Sequence, residues 1–312
     1  MGNTNETAVM PAKKKKNAGV RLETSELIFK IFAYFFCVIF ALMCLYPFVY
    51  TISAAISGKQ AYRSGEIILW PKDVQFEAFK EIVMDSGFWI SYSNTLFMTF
   101  YGTVWILVVS IFGAYALSKK RLALRSGLNF FLVFTMWFSA GLLPMYLNYT
   151  RTADIFRAVG INDMKWLVVI AMGMNAFNVV LLRNAFENVP KEIEEAAIVD
   201  GASEFSLLWN VYVPMSKSAI ATVGLFFGIS RWNGYFWAWQ MTSANEWPLQ
   251  VYIKDRLSEI TNNKNTYEAS DVYAEESLIY AMIVFAIIPI IIIYPYIQKY
   301  FATGVNLGGV KE

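Results

Sequence analysis

The chain has no histidine, two cysteines and few charges, with only 16% of its 312 residues being Asp, Glu, Lys or Arg. Each shortage excludes something. Without histidine there is no Ser-His-Asp triad, no imidazole general base and no His-ligated metal site. Cys37 and Cys44 lie seven residues apart in one apolar run. Two helical turns separate them, too far for a disulfide without breaking the helix, so they read as buried free thiols acting as small hydrophobes. An ordinary soluble domain is about 25% charged, and this chain lacks the polar surface for one. Its net charge of +2 is spread along the sequence and carries no nucleic-acid signature.

What the chain has is apolar and aromatic: 57% hydrophobic residues and 17% Phe, Trp and Tyr. A helix needs about 20 apolar residues to cross the hydrocarbon core. Six segments meet that description, near Ile28–Ser53, Ile90–Leu117, Leu128–Leu147, Trp166–Leu182, Ala219–Trp239 and Leu278–Ile297. The expected fold is all-α and polytopic, with six transmembrane helices in residues 28–297. The first segment follows a Lys-rich tail and lacks a small-residue cleavage site, so it reads as an uncleaved anchor.

Basic residues near segment ends set the orientation. With the N-terminus inside, fifteen of the 26 Lys and Arg fall on the inner side and ten on the outer, with Arg231 inside a segment. The clusters at Lys13–Lys16 and at 119–125 (Lys119, Lys120, Arg121, Arg125) lie close to segment ends. Both termini are therefore expected in the cytoplasm, as tails 1–27 and 298–312. The outer side then holds two longer connections, about 54–89 and 240–277. In the first, Asp73 is placed to cap a short helix carrying Phe76, Phe79, Ile82 and Val83.

The inner connection 183–217 is a polar hinge between two apolar segments. Pro190 suits a first helical turn, and Glu192, Glu194 and Glu195 suit its positive end. Ala196 and Ala197 allow close approach by another surface. Gly201 fits the left-handed residue that ends a helix. Ser203 then caps a second helix with an apolar stripe of Phe205, Leu208, Trp209 and Tyr212, which Pro214 stops. The expected result is two short helices at an angle, with the stripe exposed. By itself such a pair also suits an interfacial element lying on headgroups.

These residues resemble the signature loop of permease subunits in binding-protein-dependent ABC importers: Glu-Ala-Ala, three residues, Gly, nine residues, an aliphatic, one residue, an aliphatic, Pro. Here the pattern is Glu195-Ala196-Ala197, Gly201, Val211, Val213 and Pro214, with Asp200 and Ala202 beside the glycine. Gly113-Ala114-Tyr115-Ala116, Gly141 to Tyr146, Trp232 to Phe236 and Trp247 to Gln250 are similar to segments of carbohydrate-importer permeases. The tail Gln298-Lys299-Tyr300-Phe301, Gly304 and Gly308 to Lys311 resembles that of the smaller maltose-type permease subunit.

The resemblance implies a type I ABC importer permease fold in a bacterial plasma membrane. It implies a second permease subunit, two ATP-binding cassette subunits and an extracytoplasmic solute-binding protein. The cargo it implies is a carbohydrate; amino acids or peptides are the alternative. The coupling loop would comprise Glu195, Ala196, Ala197, Asp200, Gly201, Phe205, Leu208, Trp209 and Pro214, with the tail from Gly304 to Lys311 also reaching the ATPase pair.

No nucleotide site is visible. Gly58-Lys59-Gln60 lacks the upstream Gly and the final Ser or Thr of a phosphate loop, so ATP and its Mg²⁺ are expected on the partner subunits and no cofactor on this chain. Arg231, beside Trp232, Asn233 and Tyr235, reads either as a polar lining for sugar or as an aromatic belt with a snorkelling arginine. Asn94, Asn175 and Asn178 either face the path or bond between helices. Gly224 and Gly228 give a Gly-x-x-x-Gly spacing suited to close helix packing, at a subunit contact in one reading. No carboxylate cluster lies inside a segment, which with the missing histidine argues against a membrane enzyme. A sensor or scaffold that binds an ATPase without moving solute fits the same loop.

Overall fold

The computed structural model describes residues 24–262 and 272–304, among which every regular element is helical. The expected motif residues Gly308 to Lys311 lie outside that range. The chain divides into two compact units, residues 1–49 and 50–312. The first contains most of α1 (Thr24–Ala55). Its side chains from Leu27 to Phe48 are apolar and exposed almost without interruption, the pattern of a helix meeting apolar surroundings on every side. Cys37 and Cys44 are exposed free thiols there, not buried ones, because a helix without a polar face turns no side chain away from its environment.

In the second unit α2 (Lys59–Arg63) and α3 (Glu77–Met84) precede α4 (Ser86–Ser118), a single helix of 33 residues. Asp73 does not cap α3: it sits at φ +50, and Gln75 does the capping, its Oε1 accepting from the Glu77 and Ala78 amides at 2.7 and 3.3 Å. Of the expected apolar face, Ile82 is buried and Phe79 half-buried, while Phe76 and Val83 are exposed.

The third, fourth and fifth expected segments are not single helices. The third is α5 (Arg125–Trp137) and α6 (Leu142–Ala158), bent by 115°. The bend falls at Gly141, whose φ of +87 a side chain would resist. Pro144 then sits in the first turn of α6, where no amide proton is needed. The fourth is α7 (Lys165–Ala171) and α8 (Ala176–Glu187), bent by 45° at Gly173, φ +88. The fifth is α12 (Lys217–Trp232), interrupted at Asn233-Gly234-Tyr235 before α13 (Phe236–Met241). Between them lie α9 (Lys191–Val199), α10 (Glu204–Leu207) and α11 (Val213–Met215), and beyond them α14 (Leu249–Asn262) and α15 (Glu275–Gly304). Among the described residues three helices are long and apolar enough to cross a membrane, or up to six if each bent pair is one span, the third such pair being Glu204–Met215 with α12, bent by 84°.

One core joins α4, α8 and α12 to the turn below them through Ile106, Leu182, Phe186, Leu208, Tyr212 and Phe227. A second joins the start of α4 to α3, α14 and α15 through Ile82, Phe88, Leu249 and Met282. Gly224 and Gly228 do serve close packing, but against α4 of the same chain. A Cβ at these positions would stand 3.4 Å from Leu107 Cδ2 and 3.7 Å from Thr103 Oγ1, so the spacing does not mark a subunit contact.

Candidate functional site

The hinge between α8 and α12 is built by its own caps. Pro190 stands at the N-cap of α9, one position before the expected first turn, with Glu192 and Glu194 at the positive end. At the other end the Ala202 amide donates to the Ala197 carbonyl at 2.9 Å and the Gly201 amide to Ile198 at 3.0 Å. That is a Schellman closure, and it gives the Ala-Ala-x-x-x-Gly spacing a cause: Ala197 supplies the carbonyl and Gly201, at φ +83, the left-handed turn. A Cβ at Gly201 would touch nothing. Conformation, not space, requires the glycine. Ser203 caps α10, its Oγ accepting from the Ser206 amide at 3.3 Å.

The expected stripe divides in two. Leu208 and Tyr212 are buried core, whereas Phe205 is 63% exposed and Trp209 lies beside it, the ring centroids 6.0 Å apart. The helix runs one residue past Pro214, to Met215, and then bends by 84° into α12. The turn before Pro214 widens, with the Val213 amide donating to Leu208, five residues back. Such a bulge accommodates a residue that has no amide proton to give. The exposed surface of the hinge is Glu195, Ala196, Asp200 and Gly201 with Val199 at 86% and Phe205.

The hinge is fastened to the turn after α4 by three ion pairs. Lys119 pairs with Glu194, Arg121 with Glu204, and Arg125 with Glu187. The first is buried and elaborated: Lys119 Nζ also donates to the Tyr212 hydroxyl at 2.7 Å, and that hydroxyl donates to Glu194 Oε2 at 2.6 Å. The ammonium stands 4.0 and 4.6 Å from the centroids of the Tyr212 and Tyr115 rings. Burial pushes the Glu194 carboxyl up, but the bonds from Lys119 and Tyr212 outweigh it and hold it below the usual carboxylate range. Burial also pulls the Lys119 amine down, and Glu194 recovers only part of that shift. Tyr115 completes the arrangement, its hydroxyl donating to Glu204 Oε2 at 2.7 Å.

Sequence reasoning used the 119–125 cluster only for orientation and missed these partners. The available signal was the match between three cations in that cluster and carboxylates at 187, 194 and 204 on the same side.

The residues expected along a path are scattered. Asn94 is buried and spent on structure, its Nδ2 donating to the Asn245 and Trp247 carbonyls at 3.0 and 3.2 Å. Asn175 is exposed and caps α8, while Asn178 is buried in the bundle. Arg231 is half-buried and turns inward. Its Nη2 donates to the Met172 carbonyl and, at 3.3 Å, to that of Val169, the carbonyls freed where α7 breaks. Gly173 and Gly102 leave room for the guanidinium; a Cβ would lie 2.8 and 3.0 Å from it. Trp232 is buried against Tyr92. Asn233 and Tyr235 are exposed, and Lys254, which sequence reasoning passed over, stands above the Tyr235 ring.

The model of the family described as the binding-protein-dependent transport system inner membrane component matches residues 24–307, and the chain belongs to that family. It is a non-catalytic permease subunit of an ABC importer, a class in which the ATPase is a separate chain. It is similar to the polygalacturonan/rhamnogalacturonan transport system permease protein YtcP of Bacillus subtilis, 32% identical over 91% of this chain and 98% of that protein. The protein LplC of the same organism is also 32% identical, over 85% of this chain and 88% of its own length. A chain in the crystal structure of a bacterial ABC transporter involved in the import of the acidic polysaccharide alginate is 41% identical. It matches with a TM-score of 0.79 over 90% of this chain and 99% of that one. The helical architecture is accordingly the type I ABC permease fold.

Proposed function

We propose that this chain is one of two permease subunits of an importer that passes an oligosaccharide across a bacterial plasma membrane by alternating access. Residues 28–297 supply six crossings, with both termini in the cytoplasm. Residues 183–217 form the coupling loop, and the tails 1–27 and 298–312 flank the membrane domain. ATP and Mg²⁺ belong to two partner ATPase subunits, and an extracytoplasmic solute-binding protein delivers the cargo. The saccharide cargo is supported by the polygalacturonan/rhamnogalacturonan and alginate systems to which the chain is similar.

The observation that carries the coupling role is the contrast within the hinge. Its outward surface carries two uncovered apolar side chains, Val199 and Phe205, while its root is fixed by three ion pairs. Burying two such side chains against a partner yields roughly 1.5–3 kcal/mol each. The rooted helices would then carry the partner's movement into α4 and α12 as a rigid body. Gly201→Val tests this, because a β-branched residue resists the left-handed turn by about 1–2 kcal/mol. Uptake should be abolished while membrane insertion persists, and undiminished uptake in that variant refutes the coupling role.

A further inference from the structure

The structure takes apart the constellation at the end of the fifth span and assembles another. Arg231 and Trp232 turn into the bundle, whereas Asn233, Tyr235 and Trp239 stay on its surface, the two rings 41% and 42% exposed. The interruption at Asn233-Gly234-Tyr235 causes the split, since it offsets α13 from the helical register of α12. Lys254 reaches the same place from α14, its Nζ 3.9 Å from the Trp239 ring centroid and 4.9 Å from that of Tyr235. Its ammonium has no carboxylate within ion-pair distance among the described residues, although Asp255 and Glu259 lie on the same helix. Gln240, also exposed, adjoins Trp239.

From these residues we infer a subsite for a carboxylate-bearing saccharide, formed by Trp239, Tyr235 and Lys254. This deepens the saccharide reading and rests on it. The chemistry is specific to that ligand class. Aromatic faces accept the C–H faces of a sugar ring. A lysine whose only partners are ring faces holds a weak contact that a carboxylate surpasses, because a charge-assisted hydrogen bond is stronger than an exposed cation–π contact. Its flexible stem lets Nζ leave the ring face as the sugar arrives and follow the carboxylate. Neutral sugars would find the rings already occupied by the ammonium and nothing to draw it off. The site therefore favours uronate over neutral units.

The test uses the complete importer, both permease subunits with the ATPase pair and the binding protein, in proteoliposomes taking up a galacturonate oligosaccharide. Lys254→Gln should raise the KM for uptake about tenfold, the size of one charge-assisted hydrogen bond. Lys254→Arg should stay within about threefold of wild type, because the charge is kept. Trp239→Leu should raise KM without changing its salt dependence, whereas Lys254→Gln should flatten that dependence. Copurification of all subunits establishes assembly of each variant. An unchanged KM in Lys254→Gln, or equal loss in the Gln and Arg variants, overturns the subsite. So does a Lys254→Gln defect that vanishes in vesicles lacking anionic lipid, which would assign the ammonium to headgroups. If the wild-type importer takes up no saccharide at all, the saccharide reading itself fails.

Discussion

The two ends of the second unit are held by different chemistry. At the hinge end, three cations from one turn meet three carboxylates from the segment 187–204. At the opposite end one carboxylate, Asp85, meets Tyr252 and Arg256 of α14, and the remaining ties run largely to backbone. Asn94 holds the carbonyls of Asn245 and Trp247, Thr95 Oγ1 accepts from the Leu249 amide at 2.6 Å, and Glu246 accepts from the Met164 amide at 3.0 Å. Backbone ties fix a loop's path residue by residue. Side-chain ion pairs fix a helix as a body and leave its own backbone hydrogen bonds intact, which suits an element that has to move without deforming. The difference separates a fastening from a lining.

Breaking the hinge end at its buried pair should have the largest effect. Lys119→Met strands the Glu194 carboxylate and should cost about 3–5 kcal/mol, read as a lowered unfolding temperature in detergent and lost uptake. Adding Glu194→Gln should restore much of it; a double variant as unstable as the single one would mean that packing, not charge, holds the hinge. At the opposite end Asn94→Leu leaves two carbonyls unpaired and should cost about 1–3 kcal/mol. Hydrogen exchange should then rise in residues 243–249 and stay unchanged in α9. Protection lost equally at both ends would erase the distinction. Least affected should be Arg121→Gln, whose pair with Glu204 is more than half exposed on both sides. A shift of under about 1 kcal/mol is expected, and it should disappear at high salt.

The hinge was legible because its signals are local. Gly201, Ser203 and the two alanines specify a turn and a cap through bonds spanning five residues or fewer. The helix breaks at Phe138–Gly141 and Met172–Asn175 were not, because summed apolarity is blind to direction and a bent pair is as apolar as a straight span. Leu208 and Tyr212 were misassigned for a related reason: they share helical spacing with Phe205 and Trp209, yet only the tertiary placement of α4 and α8 decides which side is covered. Arg231 could not be resolved at all from its neighbours. Its partners are carbonyls some sixty residues earlier, set free by a break that the sequence did not announce. Lys254 became visible only when α13 and α14 met.

The seating of Arg231 on those carbonyls bears on how the chain is made. An arginine within an apolar segment opposes insertion, by up to roughly 2.5–3.5 kcal/mol at a span's centre, when the segment enters lipid alone. In this chain α7 and α8 are synthesised first, and the break at Gly173 leaves carbonyls facing the place where α12 will arrive. The receptor for the charge is therefore in the membrane before the charge is. In a translocon insertion assay the fifth span alone should insert poorly, and Arg231→Leu should improve it. With the fourth span present upstream that improvement should shrink, and an equal gain in both contexts would show that the two spans enter independently. The bend, read this way, is an instruction about order as much as about shape.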